Sequence, residues 1–209
     1  SAIDGRTIDR RKLVERGIFG ENVKYTDGAV GNALSHLRLW NRGTGLREPI
    51  TVAEDDAIFH RSFDSLAPEV IAQLPPDWHI IFWGWNFDSC TIFDLLPGIS
   101  MIWGCLTAAN IPSRQEAFQN MPLRPAPYRL LCCFGIPCYS ISPAGAERLA
   151  SLAVPIRHFT LAVPGLGEIY NASIDIVLIS LCKKINAYAS FPPLVLTPNE
   201  RTRSTVQNR

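Results

Sequence analysis

DGAVGNALSHLRLW (27–40), a short polar link, and then EPITVAEDDAIF (48–59) are the stretches that decide how this chain is read. Ile50-Thr51-Val52-Ala53 is short, apolar and β-prone, so it reads as a strand. It delivers Glu54, Asp55 and Asp56 to its carboxyl end. Three adjacent carboxylates repel one another and cost stability unless a cation or hydrogen-bond donors offset them. Oxygen-only clusters suit Mg²⁺ or Mn²⁺, which in turn hold phosphate oxygens. Ligands of open α/β sheets sit beyond the carboxyl ends of the strands. The acids therefore point to a metal-bound phosphorylated or nucleotide substrate, with a solvated acidic loop as the alternative reading.

Working outward, residues 29–40 read as a helix, with Leu34, Leu37 and Trp40 at helical spacing toward the core. Gly28 and Gly31 lie at its start, where free N–H groups meet anions. Ser35 and His36 follow one turn later. A short helix is expected within residues 6–16, ending near Gly17, and another over 65–74, closed by Pro75-Pro76. Residues 79–85 and 100–106 read as buried strands. Residues 109–128 read as a long loop, and 130–141 as a strand broken at 135–137. Ser142-Pro143 is a helix start, a cap followed by proline at the first helical position. A second loop holds Pro164, Gly165 and Gly167. Ser173 is expected to cap a final helix reaching residue 185, with a short strand at 194–196 and a polar tail from about 198. Strands alternating with helices predict one α/β domain with a mixed, mostly parallel sheet.

Composition sets outer bounds. The chain has 209 residues, 47% of them hydrophobic and 19% charged, which is the composition of a folded globular protein. A formal net charge of +1 offers no electrostatic case for nucleic acid. There is no uninterrupted apolar run of about 18 residues, so no transmembrane helix is expected, and the first residues read as polar rather than as a signal peptide. The six cysteines fit neither a zinc spacing nor a dense disulfide framework. They read as buried reduced thiols. Asn171-Ala172-Ser173 has the pattern of an N-glycosylation acceptor, read here as coincidence.

The two opening stretches together resemble glycosyltransferase family 25, which includes bacterial lipooligosaccharide β-galactosyltransferases and collagen galactosyltransferases. The family pattern is Gly-x-x-Gly-Cys-x-x-Ser-His at a helix start, followed by a strand ending in Glu-Asp-Asp. Gly28, Gly31, Ser35 and His36 are in register, with Asn32 where the family usually has Cys. AIDGRTID (2–9), PDWHIIFWGW (76–85), CYSISPAGAERL (138–149) and SIDIVLISL (173–181) resemble further landmarks, with His79 in place of an acid. The chain begins at Ser1, without the Val-Ile-Asn-Leu strand that opens family members, so the sheet is expected to lack its first strand.

The resemblance implies a nucleotide-diphospho-sugar transferase fold of the GT-A type. It implies an inverting, metal-assisted transfer of a hexose, galactose foremost, from a UDP-sugar to a saccharide or glycolipid acceptor such as lipopolysaccharide. Gly28, Gly31, Ser35, His36, Glu54 and Asp55 are the implied donor contacts. Asp56, with Glu54, is the implied Mn²⁺ (or Mg²⁺) site. An inverting transfer needs a general base for the acceptor hydroxyl. Asp175 is the first candidate, with Asp55, Asp88 and Glu168 as rivals. Trp83, Trp85 and Trp103 read as core or as faces for an acceptor sugar, and Tyr139 and Ser140 as pocket lining. The implied location is cytoplasmic, in the bulk or peripherally at the inner face of a membrane. A catalytically silent homologue that binds a glycan or partner is the competing reading, and a metal-dependent phosphohydrolase a weaker one.

Overall fold

A computed structural model describes residues 2–107 and 110–198. The first elements are a 3-10 turn, Gly5–Thr7, capped by the Asp4 side chain, and α1, Arg10–Glu15, capped by Asp9. Gly17 ends this segment at φ 66°, a left-handed conformation that glycine adopts without steric cost. Helix α2, Asp27–Thr44, starts at Thr26, whose hydroxyl accepts from the Ala29 N–H at 3.1 Å. It runs beyond the expected 29–40 at both ends. Asp27 favours the first turn through the helix dipole. Gly43 stays helical because α2 packs closely here: a Cβ at this position would sit 2.9 Å from Ala146.

The strands are β1 Ile50–Ala53, β2 Ile58–Phe59, β3 Ile80–Gly84, β4 Cys90–Leu96, β5 Ser100–Cys105, β6 Ala126–Cys132, β7 Cys138–Ile141, β8 Thr160–Val163, β9 Gly167–Tyr170, β10 Ala187–Phe191 and β11 Val195–Leu196. The remaining helices are α3 Phe63–Ile71, α4 Gln115–Gln119, α5 Pro143–Ala153 and α6 Ile174–Leu181. Seven strands form the central sheet in the order β1-β7-β3-β10-β6-β4-β5. The α/β class holds, and the sheet is mixed. Its pairing is not mostly parallel, however: only β10 and β3 pair parallel, and every other neighbouring pair in this sheet is antiparallel. The reason is interleaving. β1, β3, β10 and β4 run in one direction, separated by β7 and β6 running back.

Alternation along the central strands builds a core on each face. Ile80 and Phe82 of β3, with Tyr139 and Ile141 of β7, face α2, α5 and α6. Ile81, Trp83 and Cys138 face the other way, against Ala67 and Val70 of α3 and against Leu194 and Val195. Trp83 and Trp85 are therefore core, whereas Trp103 is half exposed. Ser142 caps α5 as expected, accepting from the Gly145 N–H at 3.0 Å.

Several expectations are corrected. Residues 100–105 form one arm of the exposed β4–β5 hairpin rather than a buried strand. The expected loop over 109–128 contains α4 and the start of β6. Pro164, Gly165 and Gly167 belong to the turn of the β8–β9 hairpin. Strand β10, at the centre of the sheet, follows just past the expected end of the final helix, in a stretch with no expected element. That helix ends at Leu181, and Ser173 makes no capping bond to its backbone. Five cysteines are buried free thiols, but Cys105 is exposed. The tail beyond 198 lies outside the described residues.

The start of α2 is covered by the 2–5 segment at backbone contact distance. A Cβ on Gly31 would lie 2.3 Å from the Ile3 carbonyl oxygen, and one on Gly5 would lie 1.8 Å from the Asp27 carbonyl oxygen. Gly31→Ala is therefore expected to cost about 1–3 kcal/mol through overpacking against backbone that cannot yield. Thermal or urea unfolding measures the loss, and Gly45→Ala, which meets only the Arg42 carbonyl at 3.9 Å, is expected to leave stability nearly unchanged.

Candidate active site

Ile50 and Val52 of β1 point toward α2, and the period of two places the Glu54 side chain on the same face. On α2, Asn32, His36 and Trp40 recur every four residues and so line one stripe facing β1 and β7. The two patterns meet. The Asn32 Nδ2 donates to Glu54 Oε1 at 3.2 Å, and His36 Nε2 lies 3.8 Å from the same oxygen. The Glu54 N–H is held by the Pro137 carbonyl at 2.8 Å, which fixes the backbone where the acids begin.

Behind His36 is a buried polar chain. The Trp40 Nε1–H donates to the Tyr139 hydroxyl at 2.8 Å, and that hydroxyl lies 2.8 Å from His36 Nδ1. An indole nitrogen can only donate. The Tyr139 hydroxyl therefore accepts from the indole and bridges Trp40 to His36. Burial holds the Tyr139 phenol far above its ordinary pKa, so it stays a neutral donor.

Asp55 and Asp56 form the turn after β1. Asp55 is exposed. Asp56 Oδ2 accepts from the Thr197 hydroxyl at 2.8 Å, a contact across 141 residues that ties the turn to the segment after β11. The Asp56 carboxyl is raised above its usual range, first by partial burial and then by the charges of Glu54 and Asp55, against the lowering effect of Thr197. Next to Thr197, Leu196 lines a concavity of about 400 Å³ with Thr107, Asn110, Arg114, Phe118 and Met121.

Asp175 stands in the first turn of α6, half buried, with the Ser173 hydroxyl donating to its carboxylate. Its carboxyl is also raised, chiefly by burial and next by Glu54, while Ser173 and backbone N–H groups oppose the shift. The helix dipole does not win here. Glu54 and Asp175 thus act on each other electrostatically although 121 positions separate them, and the Asp175 charge also reaches Tyr25.

The other expected residues find places of their own. Gly28 is half buried in the first turn of α2, and Gly31 lies under the 2–5 segment. The Ser35 hydroxyl accepts from the Ile3 N–H at 2.9 Å and donates to the Gly31 carbonyl at 2.8 Å, pinning that segment to the helix. Ser140 accepts from Trp83 Nε1 and pairs with Thr51, on the sheet face opposite Glu54. Asp88 is exposed beyond β3, and Glu168 is exposed in β9. His79 accepts from the Asn186 N–H at 2.8 Å, securing β10 beside β3. Asn171 is buried, bonded to Tyr25 and to the Arg157 carbonyl, so the triplet it begins is closed to glycosylation. Sequence reasoning missed Asn32, Trp40 and Thr197 as members of the site. The four-residue spacing of Asn32, His36 and Trp40 held a usable signal; nothing marked Thr197.

Among the described residues no group of three His, Cys, Asp or Glu side chains converges as a cage for a metal ion. The donor set nevertheless fits a hard divalent ion of the Mg²⁺ type. Such ions are commonly held by one or two carboxylates together with substrate phosphates.

The α/β fold with its mixed seven-stranded central sheet is GT-A-like. Residues 1–163 match the family model for glycosyltransferase family 25, described as LPS biosynthesis protein. The chain belongs to that family, and no curated protein matches it significantly. Asp175 lies beyond the matched stretch.

Two outcomes follow from this geometry. Tyr139→Phe would leave buried Trp40 and His36 nitrogens without their partner, at a cost of about 1–3 kcal/mol, which thermal or urea unfolding measures. A raised native carboxyl favours the folded state when protonated, so the Asp175 burden is absent in acid and grows as pH rises through its native pKa. Asp175→Asn should therefore raise the melting temperature at neutral pH, with the gain fading below about pH 4.

Proposed function

We propose that this family 25 glycosyltransferase moves a hexose, galactose foremost, from a UDP-sugar to a glycolipid or saccharide acceptor, with inversion at the anomeric carbon. The observation that carries the reading is the meeting of Glu54, first of the three consecutive acids, with His36 on one side and its electrostatic coupling to Asp175 on the other. The acids stand at the carboxyl end of β1, where a nucleotide diphosphate would lie.

Asp175 is the general base. Burial and the nearby Glu54 charge make its carboxylate more basic than a solvated one, in the direction that proton abstraction near neutral pH requires. As the acceptor oxygen bonds to the anomeric carbon, its proton passes to Asp175, and the bond from that carbon to the β-phosphate oxygen breaks. The electron pair leaves with the nucleoside diphosphate. Gly28, Gly31, Ser35 and His36 belong to the donor side. Of these, Gly28 lies in the first turn of α2 and His36 Nε2 lies beside Glu54, while Gly31 and Ser35 act by holding the 2–5 segment in place. Asp55 is the alternative base. Asp56, with Glu54, would hold Mn²⁺ or Mg²⁺, whose chemistry is to neutralise charge on the departing diphosphate.

Calorimetric titration of UDP-galactose with and without Mn²⁺ tests the donor half. Binding should depend on Mn²⁺ and be lost in Asp56→Ala. Asp175→Asn should retain binding while kcat for transfer falls by about 10²–10⁴-fold. Folded wild-type protein that binds neither UDP nor UDP-galactose would overturn the transferase reading and favour a glycan-binding homologue.

A further inference from the structure

We infer that the β4–β5 hairpin is a membrane-docking element that inserts into the surface of a lipid bilayer. The inference rests on the proposed use of a glycolipid acceptor only for its purpose; the observations that carry it are independent of the site.

The hairpin is apolar where a soluble ribbon should be polar. Ile99, in the turn, is 83% exposed; Met101 is 59%, Leu96 51% and Trp103 48% exposed. Neighbouring strand residues point to opposite faces. The run of exposed residues from Ser100 to Ile102 therefore leaves both faces of β5 uncovered next to the turn, whereas Trp103, nearer the body, packs its ring against Gly165. The register explains why. β4 pairs with β6 through Ile92 and Phe93, and beyond Phe93 the ribbon continues with β5 toward the Pro97-Gly98-Ile99 turn.

Charge selects the occupant. From Leu95 to Leu106 there is no Asp, Glu, Lys, Arg or His, and Cys105 is the one ionisable side chain. A surface without charge complements hydrocarbon, and it offers nothing to the polar rim of an ordinary protein interface. A second copy pairing along the free edge of β5 would cover that edge while leaving the tip and both faces wet. A bilayer covers tip and faces together. Trp103 and Tyr128, half exposed nearer the body, are of the residue types that settle at the membrane–water boundary. Among the described residues no helix is long and apolar enough to cross a membrane, so the contact is peripheral.

The direction of β4 gives the docking its use. Its partners place it parallel in direction to β1 and β3. The hairpin tip therefore leaves the sheet at the same end as Glu54, Asp55 and Asp56, on the opposite lateral edge. Inserting the tip turns that end of the sheet, and the acids with it, toward the bilayer, where a lipid-anchored saccharide presents its sugars.

Flotation of the full chain with vesicles of pure phosphatidylcholine is the test, with Ile99→Asp and Leu96→Asp as variants on exposed positions. Wild type should float with the vesicles equally at low and high salt, and each variant should lose at least about tenfold in partitioning, since one apolar side chain is withdrawn. Both variants should keep the wild-type melting temperature. Wild type remaining in the soluble fraction, or variants floating like wild type, would overturn the inference. So would binding that requires anionic lipid and vanishes in high salt. A wild-type dimer that Ile99→Asp converts to monomer, without vesicle binding, would assign the face to a second copy instead. Vesicle binding needs no donor, so this result and the UDP-galactose titration fail independently of each other.

Discussion

The Tyr139 hydroxyl is the polar atom that joins the surroundings of Glu54 to the core of this molecule. It sits fully buried between α2 and β7, where an unmade hydrogen bond would be expensive. Trp40 supplies one partner and His36 the other, both from one stripe of α2. The helix cannot rotate or slide without breaking that chain. Because Asn32 and His36 lie on the same stripe, the constraint that satisfies a core hydroxyl also sets the groups around Glu54. Stability and site geometry therefore share the same atoms.

A second constraint acts from the amino-terminal side. The backbone of residues 3–5 approaches α2 at distances that only glycine permits at Gly5 and Gly31, and Ser35 bonds to both partners of that contact. Gly31 and Ser35 of the resembling pattern thus have a packing reason independent of any ligand. The departures from the family pattern also have physical content. Asn32 donates to Glu54, which a cysteine would do only weakly. His79 uses its ring to hold the backbone of Asn186 and so to seat β10 beside β3.

The sheet is chemically divided across one end. At one lateral edge β1 delivers carboxylates, two of them near α2 and Thr197. At the other, β4 and β5 deliver an uncharged apolar tip. Both lie at the carboxyl ends of strands that run in the same direction, β1 and β4.

The sequence by itself determined what short-range physics controls: the strand at Ile50–Ala53, the acids after it, the α2 pattern, the Ser142-Pro143 helix start and the α/β class. Each rests on periodicity, capping or turn chemistry confined to a few neighbouring residues. The tertiary structure decided the rest. β10 was invisible because its Ala-Tyr-Ala-Ser-Phe sequence has weak strand character and becomes a strand only between β3 and β6. The apolar run at 100–105 looked like core, since composition records hydrophobicity but not whether another layer arrives to cover it. Asp175 was singled out by the family resemblance, since its position alone is that of a first-turn acid. Its partnership with Glu54 arises only when α6 packs near the end of β1, and burial then reverses the influence of the helix dipole. Thr197 beside Asp56 is the limiting case: 141 residues separate them, and no local pattern carries information across that distance.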